Sequence, residues 1–256
     1  MSDLVNVALD AGVLTVTMAR PDKKNAITNA MYGALADALE RAEGDSAIRA
    51  VLFQGDGDSF TAGNDLADFA AVSRGAQGER HVSRFLARLA AATRPLVAAV
   101  QGNAVGIGTT MLLHCDLVYL ASNAKLITPF VNLALVPEAA STHLLPQRIG
   151  HARAYAMFAL GEPLEAATAV SIGLANAVVP LEDLRAKARG AAEALAKRPL
   201  GSLVHTKALM RDPAAISAQM ARESAIFQER LMSAEAREAF AAFAERRPPD
   251  FSKITG

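Results

Sequence analysis

Apolar and polar positions alternate from Leu4 to Leu9 and again from Val13 to Met18, with Asp10-Ala11-Gly12 between the two runs. Period-two alternation around a glycine-bearing turn predicts a β-hairpin. Arg20-Pro21-Asp22-Lys23-Lys24-Asn25 reads as a loop, stopped by proline and rich in polar residues. The period then changes. Met31, Leu35, Ala38, Leu39 and Ala42 recur at helical spacing behind Thr28, a capping residue type. This predicts a helix from about Asn29 to Ala42. Ala50-Val51-Leu52-Phe53-Gln54 is a short apolar run ended by Gly55-Asp56-Gly57-Asp58 and reads as a buried strand.

The alternation of strand and helix continues. A helix is expected from about Glu79 to Thr93, after a mobile loop over Arg74–Gln77, and Arg94-Pro95 breaks it. Pro95–Val100 reads as a strand entering a glycine loop. A helix follows from near Gly108 to His114, then a buried strand over Asp116–Ala121. Strands alternating with helices imply an α/β core. After about Pro180 the strand signals stop. From Leu181 the chain reads as nearly all helical, with breaks at Arg198-Pro199 and Asp212-Pro213 and an extended tail from Arg246 to Phe251. No internal repeat is present.

The chain has 256 residues, enough for one large domain or one domain with an appendage, and 52% of them are hydrophobic, enough for a sizeable core. Its 26 basic and 26 acidic residues balance. Nucleic-acid binding needs a basic face, so no nucleic-acid partner is expected. Cys115 is the only cysteine, which excludes an internal disulfide and fits a reducing compartment. The first residues have no basic region and no long apolar run, the last three match no peroxisomal address, and no run is apolar enough to span a membrane. The expectation is a cytoplasmic protein with no membrane partner. The histidines, the cysteine and the acids show no metal-ligand spacing.

Candidate chemistry centres on Glu138. It is the only charge between Phe130 and Thr142. A carboxyl group in apolar surroundings resists ionisation, and one tuned this way can take and return a proton near neutral pH. Pro137-Glu138 also fits a helix start, where an acid favours the dipole. Two glycine-bearing segments, Phe60–Leu66 and Gly102–Gly108, can hold an anion on backbone N–H groups. The second matches neither the dinucleotide fingerprint nor a P-loop. A lone base beside an anion hole points to proton transfer next to a carbonyl. Thr109, Thr110 and Ser141 are candidate nucleophiles, but no histidine is placed to activate them. His114 and His143 read as core or interface residues, Cys115 as an inert thiol and Asp116 as a structural hydrogen-bonding group. Lys187, Arg189 and Arg237 read as solvated helix faces.

Taken together, these segments resemble the crotonase, or enoyl-CoA hydratase/isomerase, superfamily over nearly the whole chain. The resemblance rests on Arg20-Pro21 with Asn25-Ala26, Phe60-x-x-Gly63-x-Asp65-Leu66, Pro95-x-x-Ala98-x-Val100-x-Gly102, Gly106-x-Gly108, Cys115-Asp116 and Leu135-Val136-Pro137-Glu138. It implies a core of β-β-α turns wound as a spiral over residues 1–198, then a helical region over 199–256 used in assembly as a trimer or a hexamer of two trimers. It implies an acyl-coenzyme A thioester as ligand. The Asn64 and Ile107 N–H groups would hold the thioester oxygen, flanked by Gly106 and Gly108. Ala62, Gly63, Asp65 and Leu66 would lie along the adenosine part. Lys23 or Lys24 would meet the coenzyme A phosphates, and Ala26 the adenine or pantetheine. The acyl pocket is expected to include the Phe69–Phe85 region.

Two departures sharpen this. Family hydratases carry two glutamates, at positions where this chain has Thr110 and Phe130. A single glutamate at Glu138 resembles the peroxisomal-type Δ3,Δ2-enoyl-CoA isomerases. That reaction needs one base and an oxyanion hole, and no metal or redox cofactor. The alternatives are a hydratase with a rearranged site and a non-catalytic acyl-CoA-binding protein on the same fold.

Overall fold

The computed structural model describes residues 4–68 and 80–254. The hairpin forms as its alternation requires. β1 (Val5–Asp10) and β2 (Val13–Met18) run antiparallel with Val5 opposite Met18. Ala11 and Gly12 both take positive φ, 48° and 77°, the conformation whose twist matches a two-residue hairpin turn. Helix α1 (Asn29–Gly44) follows, with the Thr28 hydroxyl accepting from the Met31 N–H. Next come β3 (Ala50–Gly55), α2 (His81–Ala91), β4 (Leu96–Val100), β5 (Asn103–Val105) and a short helix α3 (Ile107–Thr110) that continues as a 3-10 turn to His114. Then come β6 (Leu117–Ala121), β7 (Lys125–Ile127), α4 (Ser141–Ile149), α5 (His151–Leu160), β8 (Leu164–Glu165), α6 (Ala166–Ser171) and β9 (Ala177–Val179).

Two sheets result. The larger has order β1-β2-β3-β4-β6-β9 and is parallel from β2 onward. The smaller has order β5-β7-β8, extended by an isolated bridge from Thr61 to Ala104. Successive turns of chain lay one segment in each sheet and close with helix, which is the expected spiral. The large sheet is covered on both faces, so its strands read as unbroken apolar runs. Val51 and Phe53 face the main core with Leu35, Leu39 and Phe85. Their neighbours Ala50 and Leu52 face α7 (Leu184–Ala196), through Leu184, Ala188 and Ala192. The strands of the small sheet were not legible in the sequence, because runs of two or three residues carry almost no periodicity.

Beyond α7 lie α8 (Leu200–Met210), α9 (Pro213–Leu231) and α10 (Ala234–Glu245). Lys207 ties α8 to the core through Asp116 Oδ2 at 2.7 Å and the Arg94 carbonyl at 2.9 Å. Asp116 also accepts from the Leu96 N–H at 2.7 Å, so it is structural as expected. Helix α9 packs on α2 and α4. Arg189 differs from its reading as a solvated cation. It bonds Asp10, Thr15 and Glu193, joining α7 to the hairpin. The expected loop over Arg74–Gln77 lies outside the described residues. Among the described residues no helix is long and apolar enough to cross a membrane.

Candidate active site

Two loops meet because the small sheet binds them together. Thr61 N–H donates to the Asn103 carbonyl at 3.1 Å, and Val105 N–H donates to the Thr61 carbonyl at 3.0 Å. The approach is close: a Cβ on Gly63 (φ +86°) would lie 2.8 Å from the Val105 carbonyl oxygen. On the other side, Ile27 N–H donates to Gly63 and Asp65 N–H donates to Ile27. The Asn64 N–H between them donates to no acceptor among the described residues. Gly106, with φ 55° and ψ −115°, turns the second loop into α3. Ile107 is the first residue of that helix, so its N–H has no intrahelical acceptor. Neither N–H has an acceptor among the described residues, and the two stand on adjacent loops.

Glu138 follows Pro137 and precedes Ala139 and Ala140, both at positive φ (64° and 53°). The His114 ring bonds the Ala139 carbonyl at 2.8 Å and so supports this turn. The Glu138 carboxyl is buried, and its Oε1 has no protein partner among the described residues. Burial pushes it from 4.5 to about 7, and the nearby Glu223 carboxyl adds to the rise. A hydrogen bond from the Asn64 side chain and the Arg80 charge pull the other way. Asn64 is itself held. The buried Tyr32 hydroxyl donates to Asn64 Oδ1, which leaves the amide nitrogen to face Glu138. Neither Tyr32 nor Glu223 was singled out in the sequence. Glu223 left a signal there: it is an acid at helical spacing among Ile216, Met220, Phe227 and Leu231.

A cavity of about 340 Å³ opens beside Asn64. Ala62, Gly63, Asn64, Leu66, Val105 and Gly106 form one wall, Phe130, Leu133 and Leu135 another, and Phe227, Phe243 and Arg247 a third. The third wall comes from α9, α10 and the tail. Phe85, expected near the acyl pocket, is instead buried against the Tyr32 ring, with centroids 5.6 Å apart, and residues 69–79 lie outside the described residues. Ile107 and Gly108 are buried beneath the loop; a Cβ on Gly108 would lie 2.5 Å from Thr61 Cγ2. Asp65 pairs with Arg20 at 2.7 Å, and Arg20 also reaches the Ala26 carbonyl at 3.0 Å. These contacts fix the loop from outside. Lys23 is exposed, while Lys24 Nζ is 2.5 Å from Asp58 Oδ2.

At the two positions compared with hydratase acids, Thr110 is buried with its hydroxyl unpaired among the described residues, and Phe130 packs edge-on against Phe158. Burial pushes the Cys115 thiol up to about 12, which suits an inert role. It also pushes His114 down to about 3. No group of three or more potential ligands among the described residues is placed to hold a metal.

The family model for enoyl-CoA hydratase/isomerase matches residues 8–254. The chain belongs to this family. It is 33% identical to 1,2-epoxyphenylacetyl-CoA isomerase of Escherichia coli, over 98% of this chain and 99% of that protein. It is 34% identical to enoyl-CoA delta isomerase 2 of Rattus norvegicus, over 94% of this chain but 63% of that longer protein. The solved structure of an enoyl-CoA hydratase/isomerase from Pseudoalteromonas atlantica superposes with a TM-score of 0.92 at 44% identity, covering 97% of this chain and all of the other. The crotonase fold and an acyl-CoA enzyme are thereby established.

Proposed function

We propose that the protein is a Δ3,Δ2-enoyl-CoA isomerase with Glu138 as its single shuttling base. The observation that carries this is the environment of Glu138: a buried carboxyl near neutrality, bonded by the Asn64 amide, beside two loops with unused N–H groups. Glu138 takes a proton from C2 of a 3-enoyl thioester, and the electron pair moves into a dienolate. Charge builds on the thioester oxygen, where the Asn64 and Ile107 N–H groups lie in wait. Glu138 returns the proton at C4, leaving the 2-enoyl product. Each oxyanion donor is typically worth about 10²–10³ in rate, and a positioned base roughly 10²–10⁴. The step needs neither a metal nor a redox cofactor.

The cavity between Leu66, Phe130 and Phe227 suits the acyl chain. Lys23 and Lys24 are the candidate contacts for coenzyme A phosphate, which requires Lys24 to exchange Asp58 for the ligand. The exposed apolar side chains of the C-terminal helices support assembly, as a trimer or a hexamer. A second reading, a hydratase with a rearranged site, draws support from Glu223, a second buried carboxyl near Glu138. Parallel kinetics on one preparation decide between them: a 3-enoyl-CoA is expected to turn over far faster than crotonyl-CoA is hydrated. A hydration rate equal to or above the isomerisation rate overturns the isomerase reading. Binding without either turnover would leave only an acyl-CoA-binding protein.

A further inference from the structure

Glu223 is a buried acid that the proposed reaction does not use. It sits on α9, in the chain's helical end, 85 positions after Glu138 in sequence (223 − 138). Its Oε1 accepts from the Thr142 N–H at 3.0 Å and from the Thr142 hydroxyl at 2.5 Å. Gln219, one turn earlier on α9, donates to the same hydroxyl at 2.7 Å. The Ala140 N–H also favours the charged form of Glu223. These donors belong to the first turn of α4, which has no side-chain cap of its own. Glu223 thus supplies from another helix the acceptor that an N-terminal residue normally supplies locally.

That turn carries Glu138. Between the base and α4 stand only Ala139 and Ala140, both in the left-handed region, which alanine does not adopt without cost. His114 holds this link from the 3-10 turn below, and Glu223 holds its far end from above. The other oxygen of Glu223, Oε2, is buried with no partner among the described residues, as is Oε1 of Glu138. Buried polar atoms without partners are uncommon and call for an explanation.

We propose that Glu223 is a positioning residue of this site: from α9 it clamps the turn on which Glu138 stands and sets a second buried carboxyl beside the base. Resting on the reading of Glu138 as the base, this makes the C-terminal helical region part of the catalytic apparatus. The other ionisable groups acting on Glu138 are Arg80 at the start of α2, which lowers it, and Tyr32 from α1 through Asn64. His114 lies below its turn and is neutral near pH 7. Among these, Glu223 alone opposes ionisation of the base.

The test is a titration that needs no substrate. Protein labelled with 13C at the glutamate carboxyls is followed by NMR across neutral pH, with Glu138→Gln identifying the Glu138 signal. Glu223→Gln keeps the shape and the oxygen acceptor but loses the charge. The Glu138 midpoint is expected to fall by roughly half a pH unit or more, as removal of a nearby like charge requires. The acid limb of kcat/KM should move the same way, with kcat reduced and KM little changed. Thr142→Val removes one donor to Glu223, favours its neutral form and should move Glu138 in the same direction, which keeps the test available if Glu223→Gln does not fold. An unmoved Glu138 midpoint in the folded variants overturns the proposal and leaves Glu223 a helix cap only. The reading of Glu138 as the base fails separately, by normal turnover of Glu138→Gln.

Discussion

The Tyr32 hydroxyl donates to the side-chain oxygen of Asn64, and this one bond decides which end of the Asn64 amide meets Glu138. An amide can present an acceptor or a donor to a carboxylate, and only the donor favours the anion. Tyr32 is fully buried on α1 and packed against Phe85, so its hydroxyl has a fixed direction. In the proposed mechanism Asn64 therefore serves twice, its N–H toward the thioester oxygen and its side chain toward Glu138.

Tyr32→Phe should keep the fold and lose this control. An unsatisfied buried acceptor costs about 1–3 kcal/mol, so stability falls by that order. The amide is then released to turn, Glu138 loses its donor, and the acid limb of kcat/KM moves to higher pH. This is the opposite of the shift expected for Glu223→Gln. A pH–rate profile of purified Tyr32→Phe checks the direction.

Glu138 sets a stability relationship as well as a pH profile. As the proposed base it must be ionised, so kcat/KM should rise through about pH 7. In the folded state its carboxyl lies near 7, against 4.5 for the ordinary group, so the folded chain binds the extra proton between those values. Its contribution is intact below 4.5 and is lost as pH rises through about 7. Glu138→Gln removes that charge. The variant should be inactive, and above pH 7 it should be more stable than the parent by on the order of 3 kcal/mol. Thermal unfolding of both proteins at acid and alkaline pH tests this; a stability gap that does not widen with pH contradicts it.

Gly106→Ala isolates the second of the two proposed oxyanion donors, the Ile107 N–H. Among the described residues, no atom beyond the chain neighbours lies within 4 Å of the added Cβ, so the substitution meets no clash there. Its φ of 55° with ψ of −115° is nonetheless closed to alanine without strain. A cost of about 1–3 kcal/mol is expected, relieved by rotation that displaces the Ile107 N–H. The measurement is kcat, predicted to fall about 10²-fold with the chain still folded.

Assembly has its own handle. Leu209 and Met210 at the end of α8 are 89% and 80% exposed, and Phe243 on α10 is 61% exposed. Under the proposed assembly, a neighbouring chain covers such side chains. Light scattering on the purified protein should give three or six times the chain mass, and Leu209→Glu should lower it. A monomer across micromolar concentrations would confine these helices to their own chain.

Much of this protein was determined by local sequence. The hairpin follows from alternation and a turn that tolerates positive φ, and α1 from a helical stripe behind Thr28. β3, β4 and β6 of the large sheet are legible because strands buried on both faces must be apolar throughout. Glu138 is legible as one charge in an apolar stretch, since burial of an acid is costly wherever the fold puts it. Tertiary structure alone decided the partners of that charge. Tyr32, Asn64, Glu138 and Glu223 come from four separate segments, and nothing in residue type says that a tyrosine will orient an amide or that an acid on α9 will cap α4. Hydrogen bonds depend on direction and distance, which are set by how the two sheets wind and how α9 docks. A hydrophobic pattern specifies which face is buried, but not what each buried polar atom will meet there.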